Sequence, residues 1–346
     1  MSDDECERCG AKIEHYCDEN CKECDKELPP PNIREVKRQC EVDELNRRYK
    51  DAINDNATTD DLKECLEDFE KAVQDDGKAI HNMNYYNFVT VTVNLRPTQT
   101  HYIDDNKDYN KEVFKENSRI VSDETHDTKC QDKKTDKAEF KTYYSDYHKK
   151  KDKDKQREKS DEIVFGKYKT QIRFASLSID HKGLHNYGDI CVHFKNELIE
   201  NRATLLEENS KFFPNKHNID IHENMPLGYR ALWNSKGKLA IAKLAKEICT
   251  KYLENKICTE KDFQKLLLCC GEEKDTDKFI EIHIYGSFTM EQAKVVYGKP
   301  PVMELLDEKQ KKEQETELKT IRETLERYNI NWEQEVVCVK DKKKTL

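Results

Sequence analysis

At 346 residues the chain exceeds the usual size of one domain, and with 35% hydrophobic against 38% charged residues it lacks the apolar content for a continuous core along its whole length. Its 61 Lys and Arg are outnumbered by 70 Asp and Glu, a formal net charge of -9, which excludes a globally basic nucleic-acid binder. No apolar run approaches the roughly 18–20 residues of a membrane-spanning helix, and the opening MSDDECERCG is acidic where a secretory leader is basic and then apolar. The expected address is therefore cytoplasm or nucleus, with no membrane partner, and reducing conditions there favour metal binding or plain burial for the 14 cysteines.

Residues 1–28 form a cysteine-rich segment with almost no large apolar side chain, too short to fold by burial alone. Cys6-x2-Cys9 is followed after eleven residues by Cys21-x2-Cys24. Paired knuckles of this kind place four thiolates at the corners of a tetrahedron, the geometry zinc accepts, and the metal supplies the missing folding energy. His15 and Cys17 are alternative ligands. Surrounding carboxylates oppose phosphate contact, so the knuckle reads as a stabiliser or protein-docking element, and a protein partner is expected.

The proline triplet Pro29–Pro31 is a stiff spacer. Residues 32–97 then read as a helical hairpin plus a strand. Ile33, Val36, Cys40, Leu45, Tyr49 and Ile53 recur at near-helical spacing, and Thr58 or Thr59 offers a cap to a second helix carrying Leu62, Cys65, Leu66, Phe69, Ala72 and Val73 on one stripe. The run FVTVTVNL from Phe88 to Leu95 has a period of two and predicts a strand.

Residues 98–160 are dominated by Asp, Lys, Asn and Thr and read as a charged, disordered linker or a long exposed helix. The basic run Lys149–Lys159, with Tyr143, Tyr144 and Tyr147 before it, has the components of a nucleic-acid contact. Asp152, Asp154 and Glu158 interrupt it, and a solvated linker is the favoured reading.

Order returns over residues 162–300, which predict an α+β domain: a small mixed sheet with flanking helices. EIVFGKYKTQIRFASLSI and DICVHF are β-rich and separated by the turn-like HKGLHNYG. Ser235–Glu254 carries an apolar helical face, Thr259 with Asp262 forms a capping-box variant, and KFIEIHIYG alternates Ile280, Ile282 and Ile284 against Glu281, His283 and Tyr285. Residues 301–346 form a charged helical tail of coiled-coil character. No HExxH, GxSxG, P-loop or GxGxxG occurs.

Four blocks concentrate the polar chemistry: RFASLS at 173–178, GLHNYGDI at 183–190, RATLLEENS at 202–210 and IEIHIYGSFT at 280–289. A late-strand glutamate aimed into a polar cleft suits stabilisation of positive charge. The same alternation also suits the solvent face of an edge strand. The pairing of a YGDI…FK…RAT block with a late IEIHIYG…T…V strand resembles ADP-ribosyltransferase-like domains of the bacterial-toxin type, over about residues 172–297.

That resemblance implies an NAD-dependent transferase. In it Glu281 would be the catalytic carboxylate, with His185 as a second catalytic or dinucleotide-contacting group. Arg173, Ser176, Ser178 and Tyr187 would line the cofactor pocket. Position 279 is Phe where the E-x-E form of the family carries an acidic residue or Gln. The alternative from the residues alone is a non-catalytic, zinc-stabilised interaction scaffold.

Overall fold

The proline triplet ends in a helix, not in a spacer: Pro31 occupies the first turn of helix α1 (Pro31–Val36) in a computed structural model that describes residues 28–84, 88–89, 91–92, 156–255, 259–298 and 308–333. The cysteine knuckle, residues 93–155 with their tyrosines and most of the basic run, and the last residues of the tail lie outside the described residues. After α1 come α2 (Gln39–Asn56), α3 (Asp60–Asp76), β1 (Lys78–Met83), α4 (described over residues 156–165), β2 (Ile172–Ser178), β3 (Ile190–Phe194), β4 (Ala203–Leu206) and β5 (Arg230–Leu232). The chain continues through α5 (Lys236–Asn255), α6 (Glu260–Leu267), β6 (Glu281–Tyr285), β7 (Ala293–Tyr297), α7 (Glu308–Arg327) and β8 (Asn331–Glu333).

The expected first helix is interrupted at Lys37 and Arg38. The bend lets Glu35 on α1 and Glu41 on α2 both reach Arg230 of β5, a pairing that one straight helix would not provide. Thr59 caps α3, accepting from Leu62 N at 3.3 Å, and the stripe Leu62, Cys65, Leu66, Phe69 and Val73 is buried. Burying a large apolar side chain is worth roughly 1.5–3 kcal/mol, more than the roughly 0.7 kcal/mol by which ordinary residues differ in helix propensity, so this stripe decides where α3 goes. It goes against α5: α2 and α3 each pack mainly on α5 and touch one another little, in place of the expected hairpin. At α6 the expected cap is present, with Thr259 N donating to Asp262 Oδ2 at 3.2 Å.

The strands form one eight-stranded mixed sheet in the order β5-β4-β6-β2-β1-β3-β7-β8, antiparallel except for the β7–β8 pair. The architecture is α+β. The sheet draws its strands from the segment before the charged linker (β1), from residues 162–300 (β2 to β7) and from the tail (β8).

The strand expected at Phe88–Leu95 is not one at its described residues. Residues 88, 89, 91 and 92 are helical, with Phe88 N bonded to Asn84 O at 3.1 Å and Thr92 Oγ1 to Phe88 O at 2.6 Å. Phe88 and Val91 are buried three residues apart, and Phe88 packs edge-on against Trp332. A β-branched run yields to helix when its neighbours offer a core at that spacing. The place in the sheet is taken by KAIHNM, which carries a weaker period-two signal.

Register divides the sheet into two faces. Ala79, Ala175, Leu177, Val192, Leu205, Ile282 and Ile284 point into the main core with α3, α5 and α6. On the opposite face Leu206, Ile172 and Phe174 meet Ile163, Val164 and Phe165 of α4 in a second, smaller core. Gly188, in the expected turn, has φ +142°, and a Cβ there would lie 2.1 Å from the Met83 carbonyl carbon, so the β3 approach passes the end of β1 at backbone distance. No helix among the described residues is long and apolar enough to cross a membrane.

Candidate functional site around Glu281

Strand β6 is interior, flanked by β2 and β4, and this settles which way its polar alternation faces. Glu281 pairs with Ser176 and Leu206, and His283 with Phe174 and Thr204, so all share the face covered by α4. Glu281 is 3% and His283 2% exposed, which overturns the solvent-facing edge-strand reading.

A buried carboxylate is costly without partners, and Glu281 has them. Its Oε2 accepts from Ser210 N at 2.8 Å and lies 2.9 Å from His283 Nε2. Arg157 Nη2 is 3.9 Å from Oε1. Burial alone would raise the Glu281 pKa; the His283 hydrogen bond, the Arg157 charge and the Ser210 bond prevail and hold it below the ordinary carboxylate value.

The surroundings are assembled from distant segments. β4 delivers the loop 207–212, whose Asn209 Nδ2 donates to Tyr187 OH at 2.8 Å. Arg157 of α4 donates from Nη1 to Asn209 Oδ1 at 3.2 Å, from Nη2 to Ser210 Oγ at 2.8 Å and from Nε to Asp161 Oδ2 at 2.9 Å. Its guanidinium carbon stands 4.3 Å from the centroid of the Phe174 ring. Phe165 meets the His283 ring edge-on at 4.6 Å. Burial and then the Glu281 charge push the Tyr187 phenol upward. Behind the loop, Lys243 of α5 donates to Phe279 O at 2.8 Å and to Glu207 O, tying the approach to β6 to the exit of β4; burial lowers its pKa to about 8.

Of the residues expected at the site, the fold brings Glu281 and Tyr187 together. Ser176 is adjacent to Glu281 across the sheet, but it is buried and its Oγ donates to Ile80 O at 3.3 Å. Ser178 is also buried, accepting from Gln264 Nε2 at 2.9 Å and donating to Asp180 Oδ1 at 3.1 Å. Arg173 pairs with Ile284 and so belongs to the other face; its guanidinium donates to Thr170 O at 3.0 Å and Ile172 O at 3.1 Å. His185 is half-buried in the turn His185–Tyr187, within electrostatic reach of Asp277.

The partners that the sequence did not single out are Arg157, Phe174, Asn209 and Ser210. Asn209 and Ser210 end the RATLLEENS block, so proximity to a strand exit was their one available signal. Arg157 sits in a charge run. Among the described residues no group of three or more His, Cys, Asp or Glu is arranged to hold a metal ion, and Cys6, Cys9, Cys21 and Cys24 lie outside them. Compared with protein-family models and with curated proteins, the chain finds no match.

Proposed function

We propose that the Glu281 cluster is the catalytic centre of an NAD-dependent, ADP-ribosyltransferase-like group-transfer enzyme, with residues 1–28 as an attached zinc-stabilised module. The observation that carries the reading is a fully buried carboxylate kept ionised by His283 and the Ser210 amide, on a face that already holds a planar cation against an aromatic ring. NAD, when bound, would supply a glycosidic bond that breaks as nicotinamide departs with the bonding pair, leaving positive charge on the ribose until a nucleophile of the target bonds to that carbon and gives up its proton. The Glu281 carboxylate stabilises that charge, and because its donors are fixed before reaction, little reorganisation is needed. His283 orients the carboxylate through Oε2 and leaves Oε1 on the Arg157 side. Phe174 offers its face to a flat cationic ring. Tyr187 and Asn209, joined by a 2.8 Å hydrogen bond, flank the cluster.

The test is nicotinamide release from NAD by the wild type and by Glu281→Gln. The amide keeps the shape and loses the charge, so release is expected to fall by on the order of 10²–10³ while binding falls less. Equal release by the two proteins overturns the reading. So does absence of NAD binding by calorimetry from both the wild type and an Arg157→Ala protein, whose carboxylate is less encumbered. The second reading, a non-catalytic interaction scaffold, is favoured by one observation: Glu281 and His283 are both closed to solvent. That outcome leaves it standing.

A further inference from the structure

The Glu281 carboxylate has the Arg157 side chain on its Oε1 side. Glu281 has 4% side-chain exposure, and Arg157, which stands over Oε1, has 16%. Arg157 offers what a flat cationic ligand would offer at the same place. Its planar, delocalised charge lies against the Phe174 face, near a carboxylate, with its edge satisfied by Asn209 and Ser210. The apolar anchors of α4, Ile163, Val164 and Phe165, lie six to eight residues further along the helix than Arg157.

We propose that Arg157 is an internal plug: its guanidinium occupies the subsite of the cationic ring of the dinucleotide, and the chain is held in a low-activity state until the Arg157 side chain withdraws. This regulation rests on the transferase reading of the Glu281 site. Asp161, buried and bonded to Arg157 Nε, is the catch that holds the plug in place. The plug competes with ligand, so the apparent NAD affinity of the wild type is the intrinsic affinity reduced by the fraction of molecules in which the plug is out.

The experiment compares full-length wild type, Arg157→Ala, Arg157→Gln and Arg157→Ala/Glu281→Gln for NAD affinity by calorimetry and for nicotinamide release. Arg157→Ala is expected to tighten NAD binding and raise release by about tenfold or more, as removal of a competing minor-state penalty does. The added Glu281→Gln change should abolish the gain in release while keeping the gain in affinity. Arg157→Gln retains a donor toward Asn209 and Ser210 but neither the charge nor the flat cation. It therefore serves if the alanine protein does not melt cooperatively, with the same expected direction. If an arginine variant equals the wild type in a nicotinamide release that Glu281→Gln removes, the plug is overturned and the transferase reading stands. If none of the proteins binds NAD, the transferase reading falls and the plug falls with it.

Discussion

His283 touches Glu281 from the neighbouring position on the same strand face, and the two side chains are worth more together than apart. Replacing His283 by Leu leaves Oε2 with the Ser210 amide alone, so a loss of about 1–3 kcal/mol in urea unfolding is expected, the usual cost of stripping a buried polar group of a partner. Glu281→Leu/His283→Leu should cost less than the sum of the single changes by more than about 0.5 kcal/mol. Strict additivity would show that the pair is not coupled. The alternation in KFIEIHIYG was enough to put Glu281 and His283 on one face. What covers that face was not legible. Arg157 lies in a run where each neighbour is Lys, Gln, Glu or Asp, and nothing local marks one cation as destined for a buried carboxylate. Ser210 contributes its backbone N–H, and an amide leaves no trace in a side-chain pattern.

At the scale of elements, α1 and α2 are fastened to β5 by charges buried beneath them. Arg230 donates to Glu35 Oε2 at 3.0 Å and to Glu41, while Glu35 also accepts from Tyr168 OH at 2.7 Å and lies 2.9 Å from His222 Nε2. His222 Nδ1 is 2.9 Å from the Ile163 carbonyl, so the protonated imidazole donates from both nitrogens. Burial would lower the His222 pKa, but the Glu35 bond and charge raise it above the ordinary 6.5. Burial would raise Glu35, but the His222 bond and the Arg230 charge hold it below the ordinary 4.5.

The signs follow from linkage. The His222 contribution is fully present below pH 6.5 and is lost as pH rises through its higher folded value; the Glu35 contribution is present above pH 4.5 and is lost as pH falls through its lower folded value. Thermal melts should therefore show the wild type losing its advantage over His222→Gln as pH climbs past the mid-sixes. Parallel melting curves across that range would sever His222 from the stability of the fold. Helix stripes and caps were legible here because they are local: α3, α5 and the Thr259 turn needed only their own residues. FVTVTVNL misled for the opposite reason, since its fate depended on Trp332 and on KAIHNM having taken the sheet position.

For the whole molecule, the strand order makes residues 162–300 incomplete. Without β1, β2 and β3 lose their shared neighbour, and the apolar face built on Ala79 and Met83 is open. That fragment is expected to lack a cooperative melt, whereas a chain with residues 28–97 restored should regain one. A sharp transition in the short fragment would show that β1 is dispensable. The spacing of Cys6, Cys9, Cys21 and Cys24 carries a separate prediction. The full chain should carry about one zinc, the stoichiometry of a closed four-thiolate site, and Cys21→Ser/Cys24→Ser should remove it without shifting the main melt. Metal retained by that double variant would dismiss the ligand set.

The interior position of β1 also bears on how the chain is made. Ile80 meets Ser176 96 residues further on, and at roughly 5–20 residues per second a ribosome needs on the order of 5–20 seconds to cover that interval. Throughout it KAIHNM emerges with both of its hydrogen-bonding edges bare, the state in which strands pair with the wrong partner. Yield in a heterologous host should then depend on elongation speed between β1 and β3, and on holdase chaperones that shelter the nascent strand until its neighbours exist.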